Sequence, residues 1–106
     1  MTNIQILNQH RNTMITLIGH ADYDPGHDIV CASVSMLAYT LLNYMLHEHP
    51  EALPMYQDDP GNFLIMIERP DGPTPEIDTA VRMFQIGAES LEGNYPENVE
   101  VRYDTI

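Results

Sequence analysis

The chain has 106 residues, 43% of them apolar, and its 16 acidic side chains face only 4 basic ones, a formal net charge of −12. That balance argues against nucleic acid and against an anionic membrane as partners, since both repel such a surface. One cysteine rules out an internal disulfide, which suits a reducing, cytoplasmic setting, and the length suits one domain over residues 1–106.

The start MTNIQILNQHR lacks the basic residues and apolar stretch of a secretion signal, and no apolar run reaches the length expected of a membrane span. NIQILNQ and TMITLIGH are β-prone runs, and the polar NQHRN between them predicts a hairpin. Gly19 ends the second strand, and an irregular loop follows through Gly26. From Ile29 to about Leu46, Val30, Val34, Leu37, Leu41, Tyr44 and Met45 recur at spacings of three or four, which predicts a helix with one buried face. Asp28 is placed to cap its first turn, and Pro50 and Pro54 bracket its exit.

DDPGN predicts a turn and FLIMIE an apolar strand over Phe63 to Glu68. RPDGPTP predicts a second turn, with Thr74 as cap of a helix from Pro75 to about Glu92. Ile77, Ala80, Val81, Phe84, Ala88 and Leu91 form its apolar stripe. GNYPEN breaks that helix, and VEVRYD alternates as a last half-buried strand. The order strand, strand, helix, strand, helix, strand predicts an α+β two-layer sandwich. Its four-stranded, mainly antiparallel sheet carries both helices on one face.

The densest chemistry lies in GHADYDPGHDIVCASVS, Gly19 to Ser35. With Asp28 as cap, Cys31 falls at the third helical position, beside free amides at the positive end of the helix dipole. That setting favours a thiolate, and the same amides offer an oxyanion site. A thiolate nucleophile needs an imidazole to move protons. His20, at a strand end, is held more rigidly than His27, which lies next to Gly26. Asp22, Asp24 and Asp28 are candidates to orient the ring, although Asp28 is also the cap. Ala32 and Ser33 are small enough to let a peptide approach the helix end. Two other readings stay open from residues alone: Cys31 as a small buried hydrophobe, and His20, Asp22, His27 and Cys31 as zinc ligands without a recognised zinc spacing. His47 and His49 fit the helix C-terminus better than a metal.

The run GHADYDPGHDIVCASVSMLAYT resembles the signature of the ribosomal-processing cysteine protease family, Prp. Gly19, His20, Ala21, Gly26, Asp28, Ile29, Val30, Cys31, Ala32, Val34 and Ser35 match its pattern. The resemblance implies a cysteine endopeptidase with a Cys31–His20 dyad, supported by Gly19, Asp28, Ala32 and Ser35. It needs no cofactor and no metal. The implied substrate is the short N-terminal extension of large-subunit ribosomal protein twenty-seven, and phage-encoded relatives extend the class to capsid proteins. The resemblance also implies a homodimer and a mobile lid between histidine and cysteine, here Asp22, Tyr23, Asp24, Pro25, Gly26 and His27. Pro25 makes that lid stiffer than glycine-rich versions, and Ser33 stands where alanine is common. A net charge of −12 would draw a basic ribosomal protein. The alternative function is a non-catalytic dimeric module that binds a basic ribosomal or phage capsid protein.

Overall fold

The computed structural model describes residues 1–9, 11–24, 26–69, 72 and 74–105. The chain runs β1 (Thr2–Asn8), β2 (Asn12–Ile18), α1 (Ile29–Glu48), a short 3-10 turn (Pro50–Ala52), β3 (Met55–Asp59), β4 (Asn62–Glu68), α2 (Pro75–Asn94) and β5 (Val99–Thr105). The strands form one five-stranded sheet in the order β3-β4-β2-β1-β5. The class is α+β, as the sequence predicts, but the strand count of four is corrected to five. The additional strand is β3, whose five residues MYQDD are all exposed and carry no apolar alternation to betray it. The sheet is also mixed. β5 lies parallel to β1, with Ile4 opposite Val101, because α2 carries the chain back across the layer before β5 begins.

Alternation in the inner strands decides which face is buried. Ile4 and Ile6 on β1, Ile15 and Leu17 on β2, and Phe63, Ile65 and Ile67 on β4 point to one side, where they meet α1 and α2 in a single core. The register aligns them, with Ile6 opposite Ile15 and Ile15 opposite Ile65. Each fully buried isoleucine of this kind contributes roughly 1.5–3 kcal/mol. A one-residue slip would turn the whole set to solvent.

α1 buries Val30, Val34, Ala38, Leu41, Leu42 and Met45. Leu37 and Tyr44, on the predicted stripe, are half-buried beside the core. Contrary to the sequence expectation, this 20-residue helix is long and apolar enough to cross a membrane by length and composition. Its buried face supplies another use for that apolarity, since a core helix passes the same test. α2 buries Ile77, Val81, Phe84, Gln85 and Ala88. Thr74 occupies its N-cap position but makes no side-chain cap bond; its hydroxyl donates to the carbonyl of Gly72 at 3.3 Å instead. At the exit of α1 the amide of His49 bonds the carbonyl of Met45, while its ring bonds the Tyr44 hydroxyl at 3.0 Å and Glu51 at 2.9 Å.

Candidate active site

The site forms where β2 ends, α1 begins and the β3–β4 hairpin turns. Gly19 makes the junction possible. It has φ +94°, and a Cβ there would lie 2.4 Å from the carbonyl oxygen of Met1. Only glycine meets both demands. Its amide donates to the Gly61 carbonyl at 2.9 Å, which stitches the end of β2 to the hairpin turn. The imidazole of His20 then lies over Gly61, so close that a Cβ at Gly61 would come within 3.1 Å of Nε2.

Asp28 sets the start of α1. Its Oδ1 accepts from the Cys31 amide at 2.9 Å and its Oδ2 from the Tyr23 amide at 3.0 Å. The bond from the Cys31 amide is the main reason that the Asp28 carboxyl titrates below its ordinary value. The Ala32 amide is also engaged, on the Asp28 carbonyl at 3.1 Å. The amides of Cys31 and Ala32, two of the helix-start amides that the sequence reading offers to an oxyanion, are therefore already bonded. A different amide stands at the sulfur: Ala21 N–H donates to Cys31 Sγ at 3.4 Å. Ala21 is fully buried, and Asn98 Nδ2 holds its carbonyl at 2.9 Å.

Cys31 and His20 line one cavity of about 220 Å³, together with Gly19 and Ser35. Leu17, Val34, Ala38, Tyr39 and Phe63 give it an apolar floor, and Asp58, Asp59 and Asn62 give it a polar rim. Among the described residues, no hydrogen bond joins the His20 ring to the Cys31 thiol. The Tyr39 ring packs edge-on against Phe63 with centroids 5.2 Å apart, and its hydroxyl donates to Asp58. That bond to a carboxylate raises the Tyr39 hydroxyl above the usual phenol range.

The other sequence candidates lie elsewhere. Ala32 is exposed and does not line the cavity. Asp22, at φ +56°, pairs with the amino group of Met1 at 3.2 Å. The Tyr23 ring packs on Tyr95 with centroids 5.2 Å apart. Asp24 accepts the His27 amide on its carbonyl at 3.0 Å. Gly26 has φ +93° with nothing within 4 Å of where a Cβ would stand. None of these loop residues lines the cavity, and among the described residues none of the three aspartates hydrogen-bonds the imidazole; Pro25 lies outside the described residues. Among the described residues, no three histidine, cysteine, aspartate or glutamate side chains converge as a metal site.

Sequence reasoning missed Tyr39, Asp58, Asn98 and the Ala21 amide. Tyr39 had a signal, because Cys31, Ser35 and Tyr39 at spacings of four share a helix face. The Ala21 amide had none, since a main-chain donor carries no residue identity.

Residues 1–100 match the family described as cysteine protease Prp. The ribosomal processing cysteine protease Prp of Staphylococcus aureus is 28% identical over 105 residues, 95% of each chain. The fold superposes on the S. aureus ribosomal processing protease Prp in complex with a covalently linked product peptide, with a TM-score of 0.80 and 25% identity, covering 98% of this chain and 100% of that one. It superposes on SMU.848 from Streptococcus mutans with a TM-score of 0.77 and 25% identity, over 100% and 99% of the two chains.

Proposed function

The chain belongs to the cysteine protease Prp family, and from that premise we propose that Cys31 and His20 form its catalytic dyad. The substrate in this proposal is the N-terminal extension of large-subunit ribosomal protein twenty-seven. The observation that carries the reading is the single cavity lined by both residues, with Cys31 on the first turn of α1. The apolar floor of Leu17, Val34, Ala38 and Phe63 suits a phenylalanine-type side chain beside the cut.

The chemistry follows from these positions. His20 takes the thiol proton as the sulfur of Cys31 attacks the scissile carbonyl carbon. Charge gathers on the carbonyl oxygen, and in this proposal the Ala21 amide, which points at the sulfur, is the donor that meets it. His20 then gives its proton to the leaving amine as the C–N bond breaks, leaving a thioester on Cys31. Water, deprotonated by His20, attacks that thioester, and the C–S bond breaks as the thiol regains its proton. The imidazole stands beside Gly61 without a bond to the sulfur, so binding of a peptide must draw the two together. Closure of the Asp22–His27 loop as a lid would have to release Tyr23 from Tyr95.

A homodimer in the cytoplasm completes the proposal. Exposed Met36 and Met83 flank an apolar cleft of about 380 Å³ between α1 and α2, which gives self-association a surface. The free thiol of Cys31 fits a reducing compartment.

The test is incubation with the extended ribosomal protein of the same genome, followed by mass spectrometry. Wild-type protein should release the extension, Cys31→Ala should release none, and His20→Ala should be slower by about 10²–10⁴-fold. Equal cleavage by Cys31→Ala would sink the assignment. A stoichiometric complex that releases no peptide would favour the binding-module reading.

A further inference from the structure

The two edges of the sheet are finished differently. On β5, the Val101 amide is bonded by the Glu92 carboxylate at 2.8 Å, so a side chain of α2 occupies that edge. On β3, among the described residues, no side chain bonds a main-chain amide. β3 pairs only with β4, through the two-residue turn Pro60–Gly61, and Asp59 closes the hairpin opposite Asn62. A two-residue hairpin makes its closing pair the hydrogen-bonded one, and bonded pairs then alternate along an antiparallel ladder. Asp59, Gln57 and Met55 therefore bond to β4, whereas the amides and carbonyls of Tyr56 and Asp58 face outward. Among the described residues, no group bonds those outward amides and carbonyls.

An open strand edge is a template for another strand. This one carries two large exposed side chains, Met55 and Tyr56, at 55% and 56% exposure. It also runs into the catalytic cavity, whose rim includes Asp58, Asp59, Pro60 and Gly61. The Tyr39 hydroxyl bond to Asp58 and the Gly19 bond to Gly61 fix that end of the hairpin to α1 and β2, the elements that carry Cys31 and His20. A chain paired to β3 thus has its register set relative to the dyad.

We infer that β3 is the substrate-docking edge: the extended segment next to the scissile bond adds as a sixth strand, bonding the outward groups of Tyr56 and Asp58. The inference rests on the protease reading for the identity of the peptide. It explains why a strand with no buried residue is kept, and why it stops at the cavity. Recognition by main-chain bonds selects for an extended, flexible segment and excludes a folded helix as substrate.

The test separates docking from cleavage. A fluorescent peptide spanning the N-terminal extension of the ribosomal protein is titrated onto Cys31→Ala protein, alongside copies each N-methylated at one backbone amide. Methylation should weaken binding roughly tenfold at alternate residues on one side of the cut and little at those between. Tyr56→Pro removes an outward amide without touching the bonds to β4. It should weaken the unmodified peptide by a similar factor, while alkylation of Cys31 in an otherwise wild-type protein proceeds at the normal rate. A flat methylation scan, or Tyr56→Pro protein that alkylates normally and binds as tightly as its parent, overturns the inference. So does a Tyr56→Pro effect confined to self-association in sedimentation. Binding with the alternating pattern but no cleavage by wild-type protein would leave the docking edge standing and defeat the protease reading. Failure of the unmodified peptide to bind defeats both.

Discussion

The main-chain amide of Ala21 points at the sulfur of Cys31 across 3.4 Å, and among the described residues only Asn98 holds the carbonyl of Ala21 in turn. An amide beside the nucleophile is worth most when it does not move as charge develops. On the proposed mechanism Asn98 is a positioning residue, acting through Ala21 from 77 positions away. Losing an oxyanion donor costs about 10²–10³ in kcat, and loosening one should cost roughly tenfold. Asn98→Ala and the nearly isosteric Asn98→Asp, which cannot donate, should both lower kcat with KM little changed. A fall in Tm at unaltered kcat would reduce Asn98 to a structural role.

Asp28 links the helix start to the loop before it, through the amides of Cys31 and Tyr23. Those bonds hold its carboxyl below the ordinary value of 3.8. A depressed folded-state value means that the group stabilises the fold above its ordinary value, and that this contribution is lost as pH falls through the lowered one. Asp28→Ala should melt several degrees below wild type at pH 7, and the gap should narrow below 3.8. Asp28→Asn keeps an acceptor for one amide and should fall between the two. Thermal melts from neutral to acid pH decide it; a gap that does not change with pH would remove Asp28 from the account.

The stretch that holds Cys31 and His20 was legible because its local rules agree. A capping aspartate, an apolar period beginning at Val30 and a strand ending in glycine and histidine can each be read within a few residues. What escaped depends on distance or on the main chain. β3 has no alternation, since neither face of MYQDD is covered. The parallel placement of β5 depends on the path of α2 over the sheet, which no local pattern encodes. The separation of the loop aspartates from His20 depends on contacts with Met1 and Tyr95, far away in the chain.

Gly61 should prove a catalytic liability although it takes no part in the chemistry. At φ +71°, with the His20 ring where a Cβ would stand, alanine both strains the turn and pushes the imidazole. A shift approaching 1 Å in a catalytic group can cost 10²-fold. Gly61→Ala should lower kcat/KM by roughly ten- to a hundredfold. Gly72→Ala is the control, because its φ of +92° carries the same kind of strain with open space around it, away from the site. It should cost stability while leaving kcat within about twofold. Equal kinetic effects from the two would detach Gly61 from the placement of His20.

Arg69 tests how the far end of the sheet is tied to α2. It is only 2% exposed, its Nη1 donates to the Thr13 hydroxyl, and its Nη2 lies 2.9 Å from Asp78. That contact is an ion pair by distance without the alignment of a hydrogen bond, and Nε has no partner at all among the described residues. A buried guanidinium satisfied on one side bears a desolvation cost that its bonds only partly offset. Its partners do not need it equally. Thr13 also donates to Asn8 at 2.7 Å, and the Asp78 side chain is 44% exposed, so water can take it over. Arg69→Ala should therefore destabilise chiefly through the cavity it leaves, by roughly 2–4 kcal/mol. Arg69→Met fills most of that space without a charge and should cost less than about 1.5 kcal/mol. Urea denaturation of the two variants gives the comparison, and equal losses would show that the charge, not the volume, holds this corner together.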